Sequence, residues 1–345
     1  MTEKKRLAIP DIFRALAALL IFLFHSLLFG EHGYMGVEIL MVLCGFTAML
    51  STADEEKCSR FLIKKIVRIV PLYWALTLFM FVLIRIRPSL SLMSTASLPD
   101  LIRSLLFIPF VNEKGFRAPV FSLGWMLEYQ MLFFILFTLA LRAAKKIGRF
   151  RLRGVTAGIF LILFMAAAKD TFPLEFIYGI GIYYLYEYVD RTDIIKKRTG
   201  RQAKSRSGKS FPSQPGQSGL PLLPVLLGLL FFCACILAEC VTQIPRQYLL
   251  GILTSLMIAF PLLMTGPIPL PPMVSRLAEC SYEFILIEYF TTAFFKVISA
   301  GMPFPARLAV LAVILGITFG ASVIVHRLYG IFLVQLRKRI KTDQE

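Results

Sequence analysis

Blocks of about twenty consecutive apolar residues recur along the chain, and they constrain its fold more than any other feature. The hydrocarbon core of a bilayer is crossed by an α-helix of roughly 20 apolar residues. Hydrophobic residues make up 57% and charged residues 17% of the 345 residues, whereas soluble domains contain about 45–50% and about 25%. We therefore predict an all-α polytopic membrane protein. This composition excludes a secreted enzyme, a cytosolic enzyme and a disordered chain.

Ten of these blocks are long enough for transmembrane helices. They are predicted at 8–29, 34–51, 70–87, 121–141, 154–168, 171–189, 219–238, 248–265, 281–299 and 304–325. With a cytoplasmic N-terminus, the inside segments contain 28 Lys and Arg residues and the outside loops contain five. The positive-inside rule therefore predicts that both termini are cytoplasmic. Because this topology explains most of the net charge of +17, we do not expect nucleic-acid binding.

A basic segment at 190–218, rich in Ser, Gly and Pro, divides the chain. Its composition is typical of a flexible, solvated linker, and a surface for anionic lipid headgroups is the alternative. We predict an N-terminal membrane half at 1–189 with six helices, followed by this basic cytoplasmic linker. A C-terminal membrane half at 219–345 would contain four helices and a basic tail.

Three ionisable residues lie in the first predicted span: Asp11, Arg14 and His25. Charges in hydrocarbon are costly and usually face a functional cavity. Arg14 and His25 are about three helical turns apart, so they project from one face with a separation of roughly 16 Å. Asp11 is one turn before Arg14 and is a natural ion partner for it. The structural alternative is that Arg14 snorkels to the headgroups beside Asp11, while His25 hydrogen-bonds a neighbouring helix.

Carboxylates also occur in the later spans. Glu38 opens the second span at the outer level of His25, and Glu128 follows Trp125 by three residues in the fourth span. The other carboxylates in or near spans are Glu175, Glu283 and Glu288. For these three residues, a structural ion pair with a basic side chain is as good an explanation as a functional role.

Four motifs occur in order within the first 130 residues. They are Arg14-(x10)-His25 preceded by Asp11; Gly36-Val37-Glu38-Ile39-Leu40 followed by Cys44-Gly45-Phe46; Lys65-Ile66-Val67-Arg68-Ile69-Val70-Pro71-Leu72-Tyr73-Trp74; and Trp125-Met126-Leu127-Glu128. On a chain with ten predicted spans, this order resembles the integral-membrane acyltransferase 3 family, which O-acylates cell-surface and secreted glycans. The resemblance is to the stand-alone form of the family, without a fused esterase-like domain.

The chain departs from the family pattern at three places. Cys44 stands where serine is usual, and Lys65 where arginine is usual. A late Ser281-Tyr282 is similar to the family's Ser-Tyr, but the histidine often found a few residues later is absent and Glu288 stands nearby.

The family resemblance implies an acyl-CoA donor, with acetyl-CoA expected, that approaches from the cytoplasm, and a sugar hydroxyl acceptor on the outer side. Arginine and lysine suit the phosphates of CoA, and His25 would act as general base or as transient acyl carrier. The implied catalytic residues are His25, Arg14 and Asp11, with Asp11 orienting Arg14. Donor binding is implied for Arg14, Lys64, Lys65 and Arg68, and substrate binding or support for Glu38, Tyr73, Trp125 and Glu128. We expect neither a permanently bound cofactor nor a metal, since the six cysteines lack metal-ligand spacing with histidine.

The expected location is the inner (plasma) membrane of a bacterium. The expected partners are acyl-CoA, a glycan or lipid-linked oligosaccharide acceptor, the lipid bilayer and the glycan-assembly machinery. Two other classes compete with this hypothesis. A proton-coupled transporter would use the same intramembrane ionisable residues as a relay or substrate site, and a non-catalytic partner in glycan assembly would use them for packing.

Overall fold

The computed structural model describes residues 7–26, 34–53, 60–91, 93–207, 230, 234, 246–264 and 269–342. Every regular element in this part of the chain is a helix, and it contains no β-strand. The α-helices are α1 (Ala8–His25), α2 (Met35–Ser51), α3 (Phe61–Ile86), α4 (Leu98–Leu105), α5 (Gly124–Lys146), α6 (Arg153–Ala168), α7 (Leu174–Ser207), α8 (Arg246–Met264), α9 (Pro272–Glu279), α10 (Ser281–Ile298) and α11 (Phe304–Thr342). The predicted all-α fold is confirmed for these residues.

Six of the described helices are long and apolar enough to cross a membrane, namely α1, α3, α5, α6, α8 and α11. Helix α2 is equally apolar but has 17 residues. Helix α10 carries Glu283, Glu288 and Lys296 within its 18 residues, which makes it less apolar than the six. The chain is therefore a helical membrane protein. The number of ten spans and the cytoplasmic position of both termini stay predictions.

Helix α3 begins at Phe61, nine residues before the predicted start of the third span. The predicted start of the third helix at residue 70 is therefore wrong, because residues 61–69 already belong to α3. Lys64, Lys65 and Arg68 lower the local hydropathy, but lysine and arginine are good helix formers and do not interrupt a helix. Consequently these three cations belong to the first turns of α3, which fixes their spacing relative to one another.

Helix α7 also extends beyond its predicted end at residue 189, because it continues to Ser207. The first part of the basic segment 190–218 is thus helical rather than a flexible linker, and its Arg, Lys and Gln residues favour this conformation. Residues 208–218 lie outside the described residues, as does the predicted span 219–238 apart from 230 and 234. The division into two membrane halves stays a prediction.

Glycines of the second motif bring α2 close to its neighbours. A Cβ on Gly45 would lie 2.2 Å from the carbonyl oxygen of Phe176, and one on Gly179 would lie 2.0 Å from a carbonyl oxygen of α2. At the other end of α2, a Cβ on Gly36 would lie 2.5 Å from the carbonyl oxygen of Ala17. Small residues let helix backbones approach closely in membranes. The motif glycines therefore hold α2 against α1 and α7.

Candidate active site

Helix α1 carries Asp11, Arg14 and His25, as its sequence predicts. Asp11 is buried, and its Oδ1 accepts a hydrogen bond from Arg14 Nη1 at 3.0 Å. Arg14 and His25 line two different cavities. One helix thus contributes a guanidinium to the first cavity and an imidazole to the second.

His25 forms a hydrogen bond with a carboxylate of α10. His25 Nδ1 lies 2.7 Å from Glu288 Oε1, and Glu288 is 0% exposed. When Glu288 is ionised it only accepts hydrogen bonds, and Nδ1 then donates while Nε2 keeps its lone pair. Thr292 Oγ1 lies 3.5 Å from the second carboxylate oxygen, and the ring of Tyr289 approaches the imidazole edge to face at 6.4 Å. These contacts fix the orientation of the imidazole.

We name the two cavities after the predicted topology: the cavity that contains His25 is the outer cavity, and the cavity that contains Arg14 is the inner cavity. The outer cavity is small, at about 50 Å³. Its wall is mostly apolar and aromatic, since it includes Phe24, Tyr34 and Trp125. The rings of Tyr34 and Trp125 are stacked at 5.8 Å with an interplanar angle of 11°. Stacked aromatic side chains form a rigid wall, so the imidazole faces a preformed apolar recess.

The inner cavity is larger, at about 120 Å³, and it is lined by Arg14, Lys65 and Arg68. The described residues of its lining include no carboxylate. Lys65 Nζ is held 4.8 Å from the ring centroid of Phe134, a cation–π distance. The cavity is therefore electropositive, while leucines and isoleucines of α2, α3 and α10 supply an apolar wall.

Met126 lines both cavities. Its side chain is 4% exposed, and it belongs to the Trp-x-x-Glu motif at the start of α5. Methionine is unbranched and flexible, and it fills irregular gaps. The electropositive cavity and the His25 cavity thus share one adaptable side chain in their linings.

Several predicted site residues lie elsewhere. Lys64, Tyr73, Glu38 and Glu128 line neither cavity. Tyr73 is fully buried, and its hydroxyl donates to the carbonyl oxygen of Ser104 at 3.1 Å, so it connects α3 to the end of α4. Glu38 and Glu128 are buried carboxylates, and their predicted roles in orienting the imidazole or binding sugar stay predictions.

A second carboxylate–imidazole pair lies one and a half turns away on α10. His326 Nδ1 of α11 is 3.0 Å from Glu283 Oε1, and Glu283 is buried. Neither residue lines the inner or the outer cavity. This pair therefore offers a comparison for His25–Glu288, with the same chemistry outside the two cavities.

The contact of Glu288 with His25 and the position of Met126 in the linings of both cavities are not predicted from the sequence. These two residues act through contacts between helices that are distant in the chain, so periodicity within one helix carries no signal for them. One feature of the sequence could have pointed to Glu288. The histidine that the family often has late in this helix is absent, and Glu288 is an ionisable residue near the same place.

The two cavities together suit the transfer of a group from an anionic carrier to an acceptor that must lose a proton. The cationic cavity can hold phosphates, and an imidazole with an oriented free nitrogen can take a proton or attack a carbonyl. The sequence pattern of the acyltransferase 3 family, described as an acyltransferase domain, matches residues 7–327, and the chain belongs to this family. The predicted resemblance is thus confirmed.

A protein of known role is similar to part of the chain. The exopolysaccharide production protein ExoZ of Rhizobium meliloti (strain 1021) is 32% identical over 151 residues, which cover 41% of this chain and 45% of ExoZ. The match thus spans less than half of that relative. No solved structure matches the chain.

Proposed function

We propose that the protein is a membrane O-acyltransferase that moves an acyl group, acetyl in the first instance, from cytoplasmic acyl-CoA to a hydroxyl of an exopolysaccharide sugar. The observation that carries this proposal is the electropositive cavity next to the His25–Glu288 cavity, with Met126 between them. The family membership supports the reaction class. The likeness to an exopolysaccharide production protein supports the acceptor class.

The donor would enter through the inner cavity. CoA carries several phosphate charges, and guanidinium groups bind phosphate oxygens in pairs. Arg68 and Lys65 of α3 would hold the phosphates at the cytoplasmic end, with Arg14 further in and oriented by Asp11. The thioester would then reach past Met126 toward His25, over a span of roughly 16 Å along α1.

His25 would act on the acceptor at the outer cavity. Nε2 takes the proton of the sugar hydroxyl, the hydroxyl oxygen attacks the thioester carbonyl, and the tetrahedral intermediate releases the CoA thiolate, which takes the proton from the imidazolium. Glu288 stabilises the imidazolium through Nδ1. In the second mechanism, Nε2 attacks the thioester carbonyl and expels the CoA thiolate, which leaves a transient acyl-imidazole. The sugar hydroxyl oxygen then attacks the acyl carbon, the bond to Nε2 breaks, and the thiolate takes the hydroxyl proton.

The acceptor is either a lipid-linked oligosaccharide or the finished polymer. Both bring a sugar to the outer side of the membrane, where the aromatic wall of the outer cavity would meet it. The location that fits this reaction is the inner membrane of a bacterium, together with the machinery that assembles the glycan.

Mass spectrometry of the surface polysaccharide tests the proposed function. Polysaccharide is compared between cells that lack the protein, cells rescued with the wild type and cells rescued with His25→Gln. We expect a mass increment of one acyl group in the wild-type rescue alone. Identical polysaccharide in all three strains would contradict the proposal, and proton-driven uptake and efflux would then be measured to test the transporter hypothesis.

Arg68→Ala is expected to weaken use of the donor rather than the chemical step. Loss of one charge-assisted phosphate contact should raise the KM for acyl-CoA roughly tenfold to a hundredfold, while kcat changes little. The measurement is acyl transfer in membrane vesicles at a series of donor concentrations. Arg85→Ala is the matched control, because Arg85 lies on the same helix at its other end and lines neither cavity. Unchanged donor dependence in Arg68→Ala would remove Arg68 from the donor site.

Met126→Trp is expected to block the passage between the two cavities. A misplacement of about 1 Å between reacting groups costs roughly 10²-fold in rate, so transfer should fall by at least this factor while the purified protein still binds coenzyme A. Met126→Leu conserves volume and should stay near the wild type. Wild-type turnover in Met126→Trp would show that the acyl group takes another path.

A further inference from the structure

Pro71 lies inside α3 and interrupts its hydrogen-bond ladder. Proline has no N–H, so the carbonyl of the residue four positions earlier, Val67, loses its helical partner. In an apolar environment a carbonyl without a donor is unfavourable. The segment that carries this defect also carries Arg68, which lines the inner cavity.

Two tyrosines from the C-terminal helices supply donors at this place. The Tyr329 hydroxyl of α11 lies 3.1 Å from the Val67 carbonyl oxygen and 3.0 Å from that of Arg68, so its single proton is shared between them. The Tyr282 hydroxyl of α10 donates to the carbonyl oxygen of Ile69 at 2.8 Å. Three successive carbonyls of α3 are therefore bound by side chains that are more than 200 residues away in sequence.

These contacts fix the backbone from which Arg68 projects. At the Val67 carbonyl, the Tyr329 hydroxyl takes the place of the N–H that Pro71 lacks. Tyr282 also lines the inner cavity beside Arg68. The hydroxyls thus determine where the first turns of α3, with their cations, lie relative to that cavity.

We propose that Tyr329 and Tyr282 are positioning residues, which hold the proline-interrupted segment of α3 so that Arg68 meets the phosphates of the donor. This inference rests on the proposed function for the identity of the donor. It gives α10 and α11 a role in donor binding, whereas the family motifs of the first 130 residues assign that binding to the N-terminal half alone.

Tyr329→Phe tests the proposal with little risk to folding, since the phenyl ring can keep its stacking on Phe332. We expect the KM for acyl-CoA to rise roughly threefold to tenfold, the size of one hydrogen bond, with kcat unchanged. The dissociation constant of coenzyme A, measured by titration of the purified full-length protein, should rise by the same factor. Tyr282→Phe removes the other hydroxyl and is measured in the same way if the first variant does not accumulate.

Tyr184→Phe is the matched control. Its hydroxyl also bridges helices through the backbone, because it donates to the Arg151 carbonyl oxygen at 2.9 Å and accepts from Gly154 N–H at 3.2 Å. Tyr184 lines neither cavity. A merely structural loss would affect the two variants alike, whereas a positioning role raises the KM in Tyr329→Phe alone.

Pro71→Ala provides a second comparison, because alanine has the backbone N–H at position 71 that can donate to the Val67 carbonyl. In the Pro71→Ala background, Tyr329→Phe should change the KM by less than it does in the wild type, since the hydroxyl is no longer required by Val67. Equal effects in both backgrounds would contradict the proposed link between Pro71 and Tyr329.

Amide hydrogen exchange of the peptide spanning 66–74 separates this proposal from the proposed function, because it needs no substrate. Faster exchange in Tyr329→Phe than in the wild type is expected. Unchanged exchange would overturn the role of the hydroxyls even if the protein makes no acyl product. Faster exchange with unchanged affinity for coenzyme A would overturn the positioning of Arg68.

Discussion

Replacement of His25 by glutamine is expected to abolish acyl transfer while the protein stays in the membrane. A glutamine amide can still donate to the buried carboxylate of Glu288 but cannot take a proton from a sugar hydroxyl. General base catalysis contributes about 10²–10⁴-fold to rate, so turnover should fall at least this far. Acyl transfer from radiolabelled acetyl-CoA to polysaccharide in membrane vesicles measures the loss, and affinity for coenzyme A should be retained.

His25→Ala extends this test because it leaves Glu288 buried without its hydrogen-bond donor, which adds a cost in stability of about 1–3 kcal/mol. Less protein is therefore expected for His25→Ala than for His25→Gln. The matched control is His326→Gln, which changes an imidazole that also binds a buried carboxylate but lines neither cavity. Near-wild-type transfer in His25→Gln, or an equal loss in His326→Gln, would contradict the role of His25.

Rapid acid quenching during turnover would distinguish the two roles of His25. An acyl-imidazole mechanism predicts an acylated peptide that contains His25 and disappears when acceptor is added. A general base mechanism predicts no such adduct at any time. Both mechanisms give the same loss in His25→Gln, so the trapping experiment is required to choose between them.

The sequence predicts the N-terminal half of the site better than the rest, for reasons that lie in local geometry. The relative positions of Asp11, Arg14 and His25 follow from the pitch of one helix: Asp11 binds Arg14 one turn later, and Arg14 and His25 line the two cavities. The all-α membrane fold follows from the length of the apolar blocks. Both kinds of inference need only residues that are neighbours in sequence.

Contacts between segments that are distant in the sequence cannot be predicted from helical pitch or from the length of apolar blocks. Glu288 meets His25 across 263 positions, and no periodicity connects two separate helices. Hydropathy alone places the start of α3 too late, because Lys64, Lys65 and Arg68 lower the local hydropathy without interrupting the helix. In both cases the residues concerned are ionisable residues that interrupt the apolar pattern, and hydropathy does not predict their helix or their contacts. Lys65 and Arg68 line the candidate site.

The pairs on α10 show how similar residues can differ in role through position alone. Glu283 and Glu288 are both buried, and each binds the Nδ1 of a histidine from another helix. The His25–Glu288 pair adjoins a cavity that borders the inner one, while the His326–Glu283 pair lies apart from both. A buried ion pair or hydrogen-bonded pair is not by itself evidence of function, so the neighbouring cavity is the reason for proposing the chemistry at His25–Glu288.

Glu288→Gln should lower kcat by about 10²–10⁴-fold with the KM for acyl-CoA nearly unchanged. The amide keeps the shape of the carboxylate but loses the charge that stabilises the imidazolium, and it no longer forces Nδ1 to be the donor. Donor binding is unaffected in this account because the phosphates are held by Arg14, Lys65 and Arg68. The rate is measured at saturating acetyl-CoA in membrane vesicles, with the amount of protein determined by immunoblotting.

Glu283→Gln makes the same chemical change on the same helix, so any general effect of a lost buried charge on α10 appears in both variants. We expect its kcat to stay within a few-fold of the wild type, so the difference between the two variants isolates what the carboxylate does for His25. Equal losses of kcat would assign both carboxylates to packing of α10. A loss in Glu288→Gln that appeared only as a raised KM would instead place Glu288 in substrate binding, since a carboxylate that acts through the imidazole changes the chemical step and not the affinity for the donor.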